Sequence, residues 1–254
     1  MRTFQSVLFV ILFNLSTFVQ MVFWTPVFFF LSREDGWKVV RLWGVNSLWL
    51  QHILIGTRFD FRGTENLPED KGFLVSAKHQ STWETYAMLL FLRDPSYILK
   101  RELMFIPFFG WFASKMNVIP VNRGKRSEAL KAMSRETAKQ CAEGRQIVIY
   151  PEGTRRQAYA EPSYKYGITH MYSNLDVSVV PMALNSGLFW PRNGTKLYKG
   201  TTVLEFLPAI EPGLKPDDFS NTMIHAIESK TSELLEEAQN DPEYDGPIRP
   251  PQSA

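Results

Sequence analysis

The chain has 254 residues, 44% of them hydrophobic and 14% aromatic, with a formal net charge of +2. That is enough chain for one large domain with a real core, and too little charge of one sign to argue for a nucleic-acid partner. Cys141 is the single cysteine, which excludes an intrachain disulfide and a thiol-built zinc site and fits a reducing compartment.

Residues 4–31 (FQSVLFVILFNLSTFVQMVFWTPVFFFL) carry no charge. The run exceeds the roughly 20 residues needed to cross a bilayer core. A cleavable signal has an apolar stretch of only about 7–15 residues and a small-residue cleavage site. This run ends FFFLSR, so a membrane-embedded segment is expected. Pro26 and the polar Asn14, Ser16, Thr17 and Gln20 leave a bent or in-plane arrangement open beside a straight span. Arg33, Lys38 and Arg41 follow the run and only Arg2 and the amino terminus precede it, which places the main domain on the cytoplasmic side. In residues 39–55, Leu42, Val45, Leu48, Trp49 and His52 recur at helical spacing. This second stretch reads either as an interfacial helix or as a core helix, with His52 a boundary or packing residue rather than a ligand.

Beyond residue 57 short β-type runs alternate with helical ones. Strands are expected at 58–62, 73–77, 97–99, 117–121, 146–150, 178–183 and 202–207, and helices at 83–92, 103–116 and 127–143. Ser127 serves as an N-cap and Gly144 as the residue after the helix end, while Leu130, Met133, Thr137 and Cys141 share the inward face. Pro216, Asp217 and Asp218 start a last helix that runs to about residue 238. The alternation predicts a single layered α/β domain with a mixed, largely parallel sheet flanked by helices. The expected organisation is a membrane anchor with interfacial helices over 1–56, the layered domain over 57–240, and a flexible, proline-rich polar tail over 241–254.

Four stretches carry residues able to do chemistry. In KHQSTWE (78–84), Ser81-Thr82-Trp83-Glu84 fits a capping box, in which Glu84 reaches back to the serine N–H. The same residues also fit a base, His79, oriented by Glu84. Positions five apart lie about 140° apart on a helix, so that reading needs His79 in the turn before it. In VIPVNRGKR (118–126) a strand ends at a basic cluster before a helix start, which suits either an anion site or a solvated loop. In YPEGTRR (150–156) the glycine allows close backbone approach, and Thr154 and Arg155 can hydrogen-bond phosphate; the alternative is a polar turn. In VVPMALNSG (179–187) Pro181 predicts a sheet edge or a bulge.

In that order, the four stretches resemble the motifs of the glycerophosphate acyltransferase superfamily, and most of all its 1-acyl-sn-glycerol-3-phosphate acyltransferase branch. The resemblance covers roughly residues 58–210 and extends to the membrane-embedded N-terminus; Glu-Gly-Thr-Arg is its specific element. It implies that His79 is the general base for the acceptor hydroxyl and that Glu84 orients it. It further implies that Arg123 and the Glu152-Gly153-Thr154-Arg155 turn hold the acceptor's phosphate, with Lys100 added from its position alone. Val180 and Pro181 match the fourth motif. The chain departs from the family in having Lys78 where Asn precedes the histidine, Glu84 for Asp, and Asn122 in place of an acid.

The reaction so implied moves an acyl group from acyl-CoA or acyl-carrier protein to the free hydroxyl of lysophosphatidate, giving phosphatidate for phospholipid synthesis at the membrane. A thioester is already activated, and the chain has no G-x-S-x-G elbow, so no covalent enzyme intermediate is expected. No cofactor is implied beyond the acyl donor, and no metal, since His170 and His225 lack ligand-like companions. Two other readings stand beside this one: an enzyme of the same fold acting on another lysophospholipid or an amino-acid lipid, and an inactive membrane lipid-binding protein.

Overall fold

Strands with apolar residues on both faces have no solvent side. In the computed structural model, β2 (Phe73–Ala77), β5 (Gln146–Ile149) and β6 (Val179–Leu184) are buried along their whole length. The structure describes residues 2–122, 126–192, 194 and 196–248. With β1 (Thr57–Arg62), β3 (Pro95–Lys100), β4 (Ile119–Val121) and β7 (Gly200–Phe206) the three form one sheet of order β1-β7-β6-β2-β5-β3-β4. β6, β2, β5, β3 and β4 run parallel, β7 is antiparallel to β6, and β1 is parallel to β7. All seven expected strands are present, with ends shifted by at most two residues.

Alternate residues of the central strands feed two cores. Phe73, Val75, Val148 and Met182 pack with α1 (Arg2–Phe28), α2 (Arg33–Ile55) and α3 (Glu84–Ala87) through Phe13, Trp37, Leu48 and Tyr86. Leu74, Ile147 and Val179 pack on the other face with α5 (Arg126–Ala142), α6 (Gly167–Asn174) and α8 (Pro216–Asn240) through Met133, Ile168, Phe219 and Met223. The expected inward face of α5 is buried at Met133, Thr137 and Cys141, and burial pushes the Cys141 thiol up to about 12. Gly144 closes α5 at φ +81°, donating to the Cys141 carbonyl. The side chain of Ser127 lies outside the described residues.

Some element boundaries differ from the sequence pattern. The helix expected at 83–92 is α3 followed by a 3-10 turn at Met88–Leu90. The one expected at 103–116 is broken by Pro107, with Phe108 at φ 62°, into a 3-10 turn at Arg101–Phe105 and α4 (Phe109–Lys115). Pro181 stands in a central strand, not at an edge. The bulge expected beside it is present: four residues of β6 (179 to 182) face five of the neighbouring segment (206 to 210).

α1 is the one helix among the described residues long and apolar enough to cross a membrane. Only 17% of its most apolar window is buried, so it is no ordinary core helix. It nevertheless touches the domain along its length. Ser6 accepts from the Leu197 amide, Phe13 meets Tyr86 at 5.9 Å, and Phe28 stacks on Phe112 at 4.0 Å. α2 shows both faces foreseen for it: Leu48 and Ile55 are buried, while Leu42, Val45, Trp49 and Ile53 are exposed. His52 sits at its end, with Nδ1 2.9 Å from the Thr57 carbonyl. Of the residues expected to form a tail, Tyr244 packs edge-on against Phe189, and Asp245 pairs with Arg2 and accepts from the Lys199 amide.

Candidate active site

Because β2, β3, β4, β5 and β6 run in one direction, their carboxyl ends open on the same rim of the sheet, the usual site of ligand binding in such folds. His79 follows β2, Lys100 ends β3, Tyr150 and the EGTR turn follow β5, and Ser186 follows β6. Strand order β6-β2-β5-β3 brings stretches more than 100 residues apart side by side. Arg123 lies outside the described residues.

His79 occupies the turn before α3, as the base reading requires. Its Nδ1 is 2.8 Å from Glu84 Oε1. The same oxygen accepts the backbone N–H groups of Gln80 and Ser81, both at 2.8 Å, and Oε2 accepts the Ser186 hydroxyl at 2.8 Å. Glu84 is fully buried, and these donors offset the cost of taking a carboxylate out of water. Capping and orienting are therefore done by one oxygen. The reciprocal half of the box is different: the Ser81 hydroxyl accepts from the Trp83 amide rather than from Glu84. With Nδ1 donating to the carboxylate, Nε2 holds the lone pair, and none of the described residues hydrogen-bonds it. The imidazole lies flat on the Tyr150 ring, centroids 3.9 Å apart and planes 20° apart.

A cavity of about 1280 Å³ starts at His79. On one side its wall is Thr82, Gly153, Thr154 and Arg155; further in it is apolar, with Trp24, Trp37, Trp43, Leu89, Phe112 and Met116 drawn from α1, α2 and α4 as well as the sheet domain. Its charged lining among the described residues is Lys100, Arg155, Lys165 and Arg192, all basic. Gly153 has φ +71°, a conformation that favours glycine, and the Lys165 ammonium lies close against it, 2.9 Å from where a Cβ would stand.

The sequence-derived site residues thus divide. His79, Gly153, Thr154, Arg155 and Lys100 meet at the cavity. Glu152 does not: it is 2% exposed and faces away, with Oε2 3.4 Å from Lys78 Nζ. A buried carboxylate paired with a lysine, it stands apart from Gly153, Thr154 and Arg155, which line the cavity. Ser186, Tyr150, Lys165 and Arg192 were not singled out. Ser186 lies at the end of the fourth stretch, but nothing local in the sequence ties it to Glu84, 102 residues away.

A buried carboxylate hydrogen-bonded to an imidazole thus stands on a cavity whose lining is largely apolar and whose charged residues are basic. Residues 58–185 match the Acyltransferase family. The chain is 34% identical over 214 residues to the 1-acyl-sn-glycerol-3-phosphate acyltransferase of Pseudomonas aeruginosa, covering 82% of this chain and 81% of that protein. It is 24% identical over 208 residues to the enzyme of the same name from Saccharomyces cerevisiae, 79% and 67% of the two lengths. The crystal structure of the 1-acyl-sn-glycerophosphate (LPA) acyltransferase of Thermotoga maritima superposes with a TM-score of 0.77 at 22% identity, over 92% of this chain and 98% of that one. The chain belongs to the acyltransferase family.

Proposed function

We propose that this enzyme transfers an acyl group from a thioester, acyl-CoA or acyl-carrier protein, to the free hydroxyl of lysophosphatidate, forming phosphatidate. The observation that carries the reading is the His79–Glu84 pair, with Nε2 on the same cavity as Arg155 and Lys100. Nε2 takes the hydroxyl proton as the oxygen attacks the thioester carbon. Glu84 stabilises the imidazolium, and the proton then passes to the departing thiolate. The longer Glu84, where the family has Asp, is accommodated by the hydrogen bond from Ser186, and this supports an active rather than an inactive site. The similarity to enzymes of this name from two organisms supports the acceptor.

The apolar depth of the cavity suits an acyl chain, and the exposed Phe4, Ile11, Phe18 and Phe23 of α1 suit a bilayer. Since α1 contacts the domain near both ends, it lies in the membrane surface alongside the catalytic rim rather than projecting from it. The basic residues that follow α1 support the cytoplasmic face for the domain.

The test is acyl transfer by the purified protein, with lysophosphatidate against lysophospholipids that lack a phosphomonoester, and each donor in turn. Turnover confined to acceptors without the phosphomonoester overturns the reading. Within it, Arg155→Ala raises the acceptor KM about ten- to a hundredfold, the equivalent of a charge-assisted hydrogen bond of about 1.5–3 kcal/mol, and leaves the donor KM unchanged.

A further inference from the structure

Behind the EGTR turn, away from the cavity, lies a cluster of charge that the reaction does not use. The Lys78 side chain is 2% exposed, and a lysine so buried persists only when it is paired. Its Nζ is 2.6 Å from Glu228 Oε1 of α8 and 3.4 Å from Glu152 Oε2. The Tyr164 hydroxyl donates to the same Glu228 oxygen at 2.6 Å, and the lysine stands over the Tyr164 ring, 5.7 Å from its centroid. Arg156 completes the group: its Nε is 3.8 Å from Glu152 Oε1, and its backbone N–H donates to the His79 carbonyl at 2.7 Å.

Lys78 immediately precedes the base, and Glu152 opens the turn that carries Thr154 and Arg155. The sheet aligns β2 with β5 only as far as Ser76 and Ile149; beyond that the two loops are held to each other by the Arg156–His79 backbone hydrogen bond and the Lys78–Glu152 pair. The Glu152 carboxyl is pushed up by burial and drawn down by Lys78. Left unpaired, it would either recoil from its pocket or oppose an anion on the turn in front of it.

We propose that Lys78 is a positioning residue for acceptor binding. By clamping Glu152 against Glu228 of α8, it neutralises the back of the EGTR turn and fixes the height at which Thr154 and Arg155 meet the acceptor's phosphate, in register with His79. The inference rests on the acceptor reading above, and this chain's lysine, where the family has Asn, is what makes the clamp available.

The experiment measures steady-state kinetics of wild type, Lys78→Met and Glu228→Gln with lysophosphatidate, together with inhibition by glycerol 3-phosphate as a headgroup probe and thermal unfolding. The expected result for Lys78→Met is an acceptor KM raised at least tenfold and glycerol 3-phosphate weakened in parallel, with the donor KM within twofold of wild type. Glu228→Gln shifts the same two quantities in the same direction by a smaller factor. Because the Glu228 side chain is 25% exposed, that variant tolerates the change and decides the matter if Lys78→Met does not fold. A folded Lys78→Met with unchanged acceptor KM and inhibition, or with both substrates affected equally, overturns the proposal. Wild-type protein that ignores lysophosphatidate overturns the acceptor reading and this one together. Wild-type turnover with indifferent variants overturns this one alone.

Discussion

Replacing His79 with alanine lowers kcat by about 10²–10⁴-fold, the contribution typical of a general base, while the protein keeps its fold. The imidazole makes one hydrogen bond, to Glu84, and lies on the face of Tyr150 at the cavity wall. Its removal therefore empties a place on the wall without opening the core. Acyl-transfer rate and near-ultraviolet circular dichroism, measured on the same preparation, check the two halves. Retained turnover in a folded His79→Ala protein removes His79 as the base.

Glu84 separates into two variants with opposite profiles. Glu84→Gln keeps the shape and one acceptor oxygen, and the Ser186 hydroxyl can rotate to accept from the new amide. It loses the charge that stabilises the imidazolium. The expected outcome is a kcat lower by about a hundredfold, with the melting temperature barely changed. Glu84→Ala strands the buried amides of Gln80 and Ser81 and the Ser186 hydroxyl, and costs about 3–9 kcal/mol at 1–3 kcal/mol for each unsatisfied donor. Thermal unfolding beside single-turnover kinetics resolves the pair. If Glu84→Gln lowers stability alone and leaves kcat intact, Glu84 is only a cap.

What could be read along the chain was local. β2, β5 and β6 showed because buried parallel strands are continuous apolar runs bounded by polar turns, and β2 falls where its pattern puts it, at Phe73–Ala77. The base–acid pair was legible because both residues lie within six positions and a turn, not a helix, separates them. α6 and α7 (Ser186–Phe189) escaped notice because eight and four residues leave too few turns for a periodic signal. Glu152 was assigned with its neighbours to the phosphate because motif residues travel together in sequence, whereas burial turned it toward Lys78, 74 positions earlier. Ser186 and Glu84 met for the same reason. Strand order, not spacing, set both encounters, and strand order is a property of the whole sheet.

The helix that makes this enzyme awkward in water is also one side of its reaction vessel. Thr17, Met21 and Trp24 of α1 and Trp37 and Trp43 of α2 line the cavity that begins at His79. Phe9, Phe13 and Phe28 belong to the same core as Phe73 and Met182 of the sheet. Trimming the first 56 residues to obtain a detergent-free catalytic fragment would thus remove part of the cavity wall and lay bare one face of the sheet. Attachment and substrate capture cannot be separated by a pair of scissors; solubility has to come from recolouring the outward side of α1 alone.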